Sequence, residues 1–381
     1  MSTLNAQIFP SYHIIPLHSH IPTPALLILE NRLIDNIHAM QKLADSHSCR
    51  LRPHIKTHKS TNIALRQIES GANGITVAKL SEAEIMADAG IEDIFIANQI
   101  TQQIKMSRLK ELHDKIRLIV GLDHPDQISA LENTFHNSDK PLEVRIEIDS
   151  GLHRCGMAVD ESLVTLAKKI KKTDWLEMEG IFTHAGHAYA ASSTEEIMKI
   201  GIHEGAVMEN AERLLRQNGM DMKTVSTGST PTVRWSAANP SVNEIRPGNY
   251  VFYDGIQMAL GVCGPEICGL FVMSTVISQP SENQIVIDAG SKALNLDRGA
   301  HSASLLSGYG ALINVDGEIV RLSEEHGVVR LHHPHPVQVG SPVIIIPNHA
   351  CAVANLFEKY YLIGNDKPIK EIPVSARGNS Q

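Results

Sequence analysis

Within Arg52-Pro53-His54-Ile55-Lys56-Thr57-His58-Lys59, five side chains carry or share a proton, a heavy load for a simple turn. The stretch follows the strand-like Cys49-Arg50-Leu51 and sits where a strand hands over to a helix. A lysine at a strand end, among other cations, is disfavoured as an ammonium and is left as a nucleophilic amine. Solvated loop cations are the plainer reading of the same residues. A second pattern is Pro347-Asn348-His349-Ala350-Cys351, after the apolar run Val343–Ile346. If that strand continues, His349 and Cys351 are i and i+2 and project from one face. Imidazole and thiolate together suit zinc. Two protein ligands leave coordination positions open for a substrate, as a Lewis-acid role requires. Ser323-Glu324-Glu325-His326-Gly327 adds a ligand or a base, or caps a turn.

These residues need a scaffold, and the chain alternates. Pro24–Leu29 reads as a buried strand, followed by an amphipathic helix from about Asn31 to Ser46. Strand-like runs then recur at Cys49–Ile55, Gly74–Val77, Ile94–Ala97, Ile116–Gly121, Leu142–Ile148, Leu176–Thr183, Thr224–Thr227 and Val242–Phe252. Helical patterns separate most of them; Lys79–Ala89 is the clearest and stops at Gly90. Such alternation implies parallel strands with right-handed crossovers. An open doubly wound sheet competes, but no G-x-G-x-x-G follows the first strand. The expectation is a (β/α)8 TIM-type barrel followed by a mostly β C-terminal domain. Residues 1–30 form a leader and a strand that joins the β-domain, 31–258 the barrel, and 259–381 the β-domain. The last six residues, Ala376–Gln381, read as a loose tail.

In such a barrel the site lies at the C-terminal strand ends, with phosphate often held after strands 7 and 8. Gly228-Ser229-Thr230 follows the seventh strand, and the eighth carries Glu244-Ile245-Arg246-Pro247-Gly248-Asn249-Tyr250. Small residues with free backbone N–H groups there would cradle a phosphate, although each tripeptide alone is an ordinary turn. The fifth strand ends in Asp149–Gly156, where Arg154 either meets an anionic oxygen or is neutralised by Asp149. The sixth ends in Thr183–Tyr189, with His184 and Tyr189 as ligand contacts or satisfied loop side chains.

Composition bounds the function. A net charge of −8 without a basic stripe argues against nucleic acid as partner. No apolar run approaches the roughly 20 residues of a membrane span. Met1–Gln7 lacks the charged and apolar regions of a signal peptide. Five spread cysteines without a CxxC pair suit a reducing, cytoplasmic setting.

Seven stretches carry a family resemblance in order: Arg52–Lys59, Asp149–Gly156, Ser226–Ser229, Arg246–Asp254, Asp288–Ala293, Ser323–Gly327 and Pro347–Leu356. They resemble the alanine-racemase-like (fold type III) pyridoxal-phosphate enzymes, and within these the metal-dependent D-serine dehydratase and D-threonine aldolase group. The resemblance implies Lys56 as the Schiff-base lysine for pyridoxal 5'-phosphate. It implies phosphate contacts from Thr227, Gly228, Ser229, Gly248 and Asn249, with Tyr250 also at the cofactor. Arg154 would meet the phenolic oxygen, and Tyr189 or His184 the pyridine nitrogen. His349 and Cys351 occupy the metal positions, for Zn2+ or for Mn2+ or Mg2+. Aldolases of the group usually have a carboxylate second, as His-x-Asp; the cysteine here is as in the dehydratases. The implied activity is dehydration of a β-hydroxy D-amino acid such as D-serine or D-threo-3-hydroxyaspartate to a 2-oxo acid and ammonia. Retro-aldol cleavage to glycine and an aldehyde is the alternative, and a non-catalytic pyridoxal-phosphate-binding protein a second one. The resemblance also implies a homodimer in which the partner's β-domain helps close the site.

Overall fold

The computed structural model describes residues 20–299, 305–333, 336–364 and 368–381, so the leader up to residue 19 lies outside the described residues. After β1 (Ala25–Leu29), eight parallel strands follow: β2 (Arg50–Leu51), β3 (Ile75–Val77), β4 (Asp93–Ile96), β5 (Arg117–Leu122), β6 (Leu142–Glu147), β7 (Leu176–Phe182), β8 (Thr224–Thr227) and β9 (Glu244–Ile245). They pair in the order β2-β9-β8-β7-β6-β5-β4-β3, and a parallel bridge between His54 and Thr76 joins the two ends. The expected barrel is therefore present. Two of its strands are shorter than the apolar runs suggest. The first yields to a single 3-10 turn, Ile55–Thr57, and the last stops before Pro247, which has no N–H to continue the ladder.

The strands alternate, but not in the usual apolar-in sense. On β6, Leu142, Val144 and Ile146 are buried toward the helices, while Glu143, Arg145 and Glu147 point into the barrel. Arg145 and Glu244 are wholly buried, 2.5 Å apart between Nη1 and Oε1, and Arg145 Nε lies 2.6 Å from Glu179. Arg52 Nε adds a contact of 2.8 Å to Glu244. Desolvating such charges costs several kcal/mol per ion, so each guanidinium and carboxylate depends on its partner. Phe95 and Phe182, packed edge-to-face, fill the remaining interior beneath Arg145 and Arg246.

The helix Glu30–Ser46 spaces Leu33, Ile37, Met40 and Ala44 along one buried face. Leu33 and Ile37 pack into the second domain's core, Met40 and Ala44 into the barrel's, so this one helix rivets the two. The second domain is a nine-stranded mixed sheet of β1, β10 (Leu270–Ser281), β11 (Gln284–Ile287), β12 (Ala311–Leu312), β13 (Gly317–Leu322), β14 (Gly327–Leu331), β15 (Pro342–Ile346), β16 (Lys359–Ile363) and β17 (Lys370–Pro373). Here β1 pairs antiparallel with β10 and parallel with β16. Short helices, Ser291–Leu294 and Ala350–Ala354, interrupt a region whose texture reads as strand and loop alone.

Ala376–Gln381 is not a loose end. Ala376 is fully buried and donates to Lys59 O at 2.8 Å, and the Ser81 N–H and Oγ donate to Gln381 O at 3.1 and 2.8 Å. Among the described residues no helix is long and apolar enough to cross a membrane.

Candidate active site

A cavity of about 830 Å3 opens at the C-terminal ends of the barrel strands, roofed by the β-domain. Its floor is Lys56. The 3-10 turn carrying it is closed by hydrogen bonds from His58 N and Lys59 N to Ile55 O, with Lys59 in the left-handed region. Burial lowers the Lys56 pKa; the Cys351 charge opposes this, and Arg154 and Arg246 reinforce it. Burial is thus the larger cause, and neighbouring cations the lesser. His54 and His184, both lining the cavity, are held well below the usual imidazole range by burial and then by Lys56, so both are neutral.

The loops after β8 and β9 supply the polar wall. Gly228, Ser229, Thr230, Gly248 and Asn249 line the cavity. Ser229 Oγ is buried without a hydrogen-bond partner. Among the described residues, the N–H groups of Ser229, Thr230 and Gly248 donate to no protein acceptor. A Cβ on Gly228 would come within 2.9 Å of the Arg246 backbone, and one on Gly248 within 2.7 Å of His54 O, so both loops pack at glycine distance. Thr227 and Tyr250 are not brought to the cavity. Thr227 Oγ1 bonds Ser236 Oγ, and the Tyr250 hydroxyl accepts from Gln67 Nε2 at 2.9 Å on the far side of the loop.

Arg154 lines the cavity; Asp149 is engaged instead with His153 and with the Gly151 N–H. His184 Nδ1 donates to Gly228 O at 2.7 Å, which turns its other nitrogen away from that bond and fixes the ring. Tyr189 lines the same cavity, its phenol pKa raised by burial and then by Cys351 and Asp254.

His349 and Cys351 meet, but not by strand geometry. β15 ends at Ile346; His349 caps the helix Ala350–Ala354 and Cys351 sits in its first turn. That turn is latched to the barrel by the Ala350 N–H on Asp254 Oδ2 at 2.9 Å, and by Gly255 N and Ile256 N on Pro347 O and Asn348 O. Cys351 Sγ is 3.2 Å from Thr57 Oγ1, the residue next to Lys56. Burial alone would raise the Cys351 thiol, but His349 pulls its pKa below the ordinary value. Against burial, Cys351 and Asp297 push His349 up to about 11. Such a thiolate–imidazole donor pair is what a soft-to-borderline divalent metal replaces a proton on.

Sequence reasoning missed several cavity residues. Asp297 Oδ2 lies 2.7 Å from His349 Nδ1, the outer carboxylate that orients a metal-binding histidine. Glu147 and Arg246, inward residues of β6 and just past β9, also line the wall. Their alternation with apolar neighbours was the available signal. Ser323–Gly327 is elsewhere: Ser323 N bonds His326 O across the β13–β14 turn, and Glu324 and Glu325 pair with Lys292.

Comparison with known proteins bears on this arrangement. Residues 28–255 match the family described as alanine racemase, N-terminal domain, and residues 269–363 the putative serine dehydratase domain. The chain is 32% identical to D-serine dehydratase of Dictyostelium discoideum, covering 92% of this chain and 95% of that protein. It is 32% identical to D-threo-3-hydroxyaspartate dehydratase of Delftia sp. strain HT23, covering 92% of this chain and 96% of that one. The crystal structure of D-threonine aldolase from Filomicrobium marinum superposes with a TM-score of 0.88 at 29% identity, covering 95% and 97% of the two chains.

Proposed function

The chain belongs to the alanine-racemase-fold lyases that include D-serine dehydratase and D-threonine aldolase, and from that membership we propose that it dehydrates a β-hydroxy D-amino acid to a 2-oxo acid and ammonia. The observation that carries this reading is the meeting of Lys56, from the barrel, with His349 and Cys351, from the β-domain, in one cavity. In this reading residues 31–258 bind the cofactor, and residues 259–381, together with β1, carry the metal. A cytoplasmic homodimer is part of the same proposal.

Both groups fit the residues present. The unpartnered Ser229 Oγ and the spare N–H groups of Ser229, Thr230 and Gly248 suit the phosphate of pyridoxal 5'-phosphate, and Lys56 its aldehyde. His349 and Cys351, with Asp297 behind the imidazole, suit zinc or another divalent ion. When bound, the cofactor supplies an electron sink for charge at Cα, and the metal a Lewis acid for the β-hydroxyl.

The chain's own residues do the rest. Burial keeps Lys56 Nζ able to release its proton, so the amine, once displaced, takes the proton from Cα. Arg154 presents a guanidinium to anionic oxygen at the end of the fifth barrel strand from β2, β6. His184, held by Gly228 O, and Tyr189, kept as a neutral phenol, both line the cavity and would be available to the cofactor's ring. The Asp254 latch holds the turn that carries His349 and Cys351 against the barrel loop after β9.

The cysteine at position 351 favours elimination; the aldolase among the structural matches keeps carbon–carbon cleavage as the second reading. Metal-loaded holoenzyme incubated with D-serine, D-threonine and both 3-hydroxy-D-aspartates separates them. Elimination yields a 2-oxo acid and ammonia, whereas glycine with an aldehyde overturns it in favour of cleavage.

A further inference from the structure

Four lysine and arginine side chains line the cavity: Lys56, Arg154, Arg246 and Arg298. Three have work to do already. Lys56 and Arg154 serve the cofactor in the proposed reading, and Arg246 is tied below the floor, Nη1 to Ser226 Oγ at 2.5 Å and Nη2 to Thr183 O at 2.6 Å. Arg298 alone is left, and it stands on the metal side. Its neighbour Asp297 contacts His349 Nδ1, and Asn348 Nδ2 donates to Asp297 O at 2.9 Å, so this segment is bound to the turn that carries His349. The side chain is fixed at its base: Nε donates to Leu306 O at 3.1 Å, and the guanidinium carbon lies 6.0 Å from the Tyr309 ring centre. The backbone oxygen of Arg298 accepts from Leu305 N and Leu306 N at 2.8 and 2.9 Å. Its terminal NH2 groups have no carboxylate partner among the described residues.

We propose that Arg298 is a specificity-determining residue that receives a second carboxylate borne on the substrate's Cβ, which makes a 3-hydroxy-D-aspartate the preferred substrate over D-serine. This rests on the dehydratase reading above. The hydroxyl and the distal carboxylate share one carbon, so a group that holds the hydroxyl at His349 and Cys351 sets the carboxylate beside the same residues. D-Serine has only hydrogen there and D-threonine a methyl, and neither engages a guanidinium. A planar fork with spare donors matches a carboxylate in two-point contact, which an ammonium does not reproduce.

The test is the ratio of kcat/KM for D-threo-3-hydroxyaspartate to kcat/KM for D-serine, measured on the same metal-loaded preparation. The ratio is insensitive to the fraction of protein folded or loaded. In the native enzyme it should exceed 1, and in Arg298→Ala it should fall by about 10- to 100-fold, the value of an exposed charge-assisted contact. Arg298→Lys should fall less. A calorimetric comparison of D-malate with D-lactate gives a readout without turnover: the preference for the dicarboxylate should vanish in Arg298→Ala. A ratio that stays constant, because both substrates lose or neither does, overturns the proposal and leaves the dehydratase reading standing. A native enzyme that turns over neither substrate overturns both.

Discussion

At the residue scale the cavity divides its labour between a half-buried amine and a half-buried thiol, and each makes a separable prediction. Lys56→Ala removes the only lysine among the described residues that line the proposed cofactor site. The visible absorption of bound pyridoxal phosphate and turnover should disappear together, as read by a spectrum and a product assay. Cys351→Ala should keep that absorption and lose metal-stimulated turnover by about 100-fold or more, the scale of a lost first ligand. If native turnover proves indifferent to a strong chelator, the metal role fails. The octapeptide around Lys56 and the His-x-Cys spacing were legible because unusual residue types fall close together in sequence. Asp297 was not, since it reaches His349 only through folding across the β-domain.

At the element scale the turn bearing Lys56 hangs on His58. That imidazole is fully buried, accepts from Ser60 N at Nδ1, and shares 3.2 Å with Gln67 Oε1 at Nε2, while Tyr360 of β16 donates to His58 O at 2.6 Å. Burial lowers its pKa from 6.5 to about 3, although both hydrogen bonds act the other way. Between those values the unfolded chain binds a proton that the folded chain does not. The stabilisation is therefore complete above about pH 6.5 and drains away as pH falls. Going from pH 7 to 5 should cost about 2 kcal/mol from this group. In urea titrations at the two pH values, His58→Asn should show a smaller acid loss than the native protein by about that amount. Equal losses would remove His58 from the account. The two barrel strands at the turn and at Pro247 were overread from sequence because an apolar run does not reveal where the ladder's donors stop.

At the scale of the whole molecule, strand–helix alternation made the barrel and its β-rich successor readable. The barrel's interior was not. A strand such as Leu142–Glu147 alternates apolar and charged residues, which ordinarily marks a water-facing side; here the charged side faces inward, with Glu143 and Arg145 neutralised by residues from β5, β7 and β9. Only closure of the barrel brings those partners together. Glu244→Gln would leave Arg52 with Asp93 alone and Arg145 with Glu179 alone in that interior and should lower unfolding free energy by about 3 kcal/mol, measured by chemical denaturation. A loss near zero would mean that water or a shifted side chain compensates.

The helix turn holding His349 and Cys351 closes over Lys56 from the other end of the polypeptide. During translation the barrel strands emerge first, but the turn that carries Lys56 waits for Tyr360 and Ala376, made near the end, to tie it down. A chain cut short before residue 349 would thus lack both the imidazole–thiol pair and the late ties that seat the amine, so the two halves of the cavity come of age together.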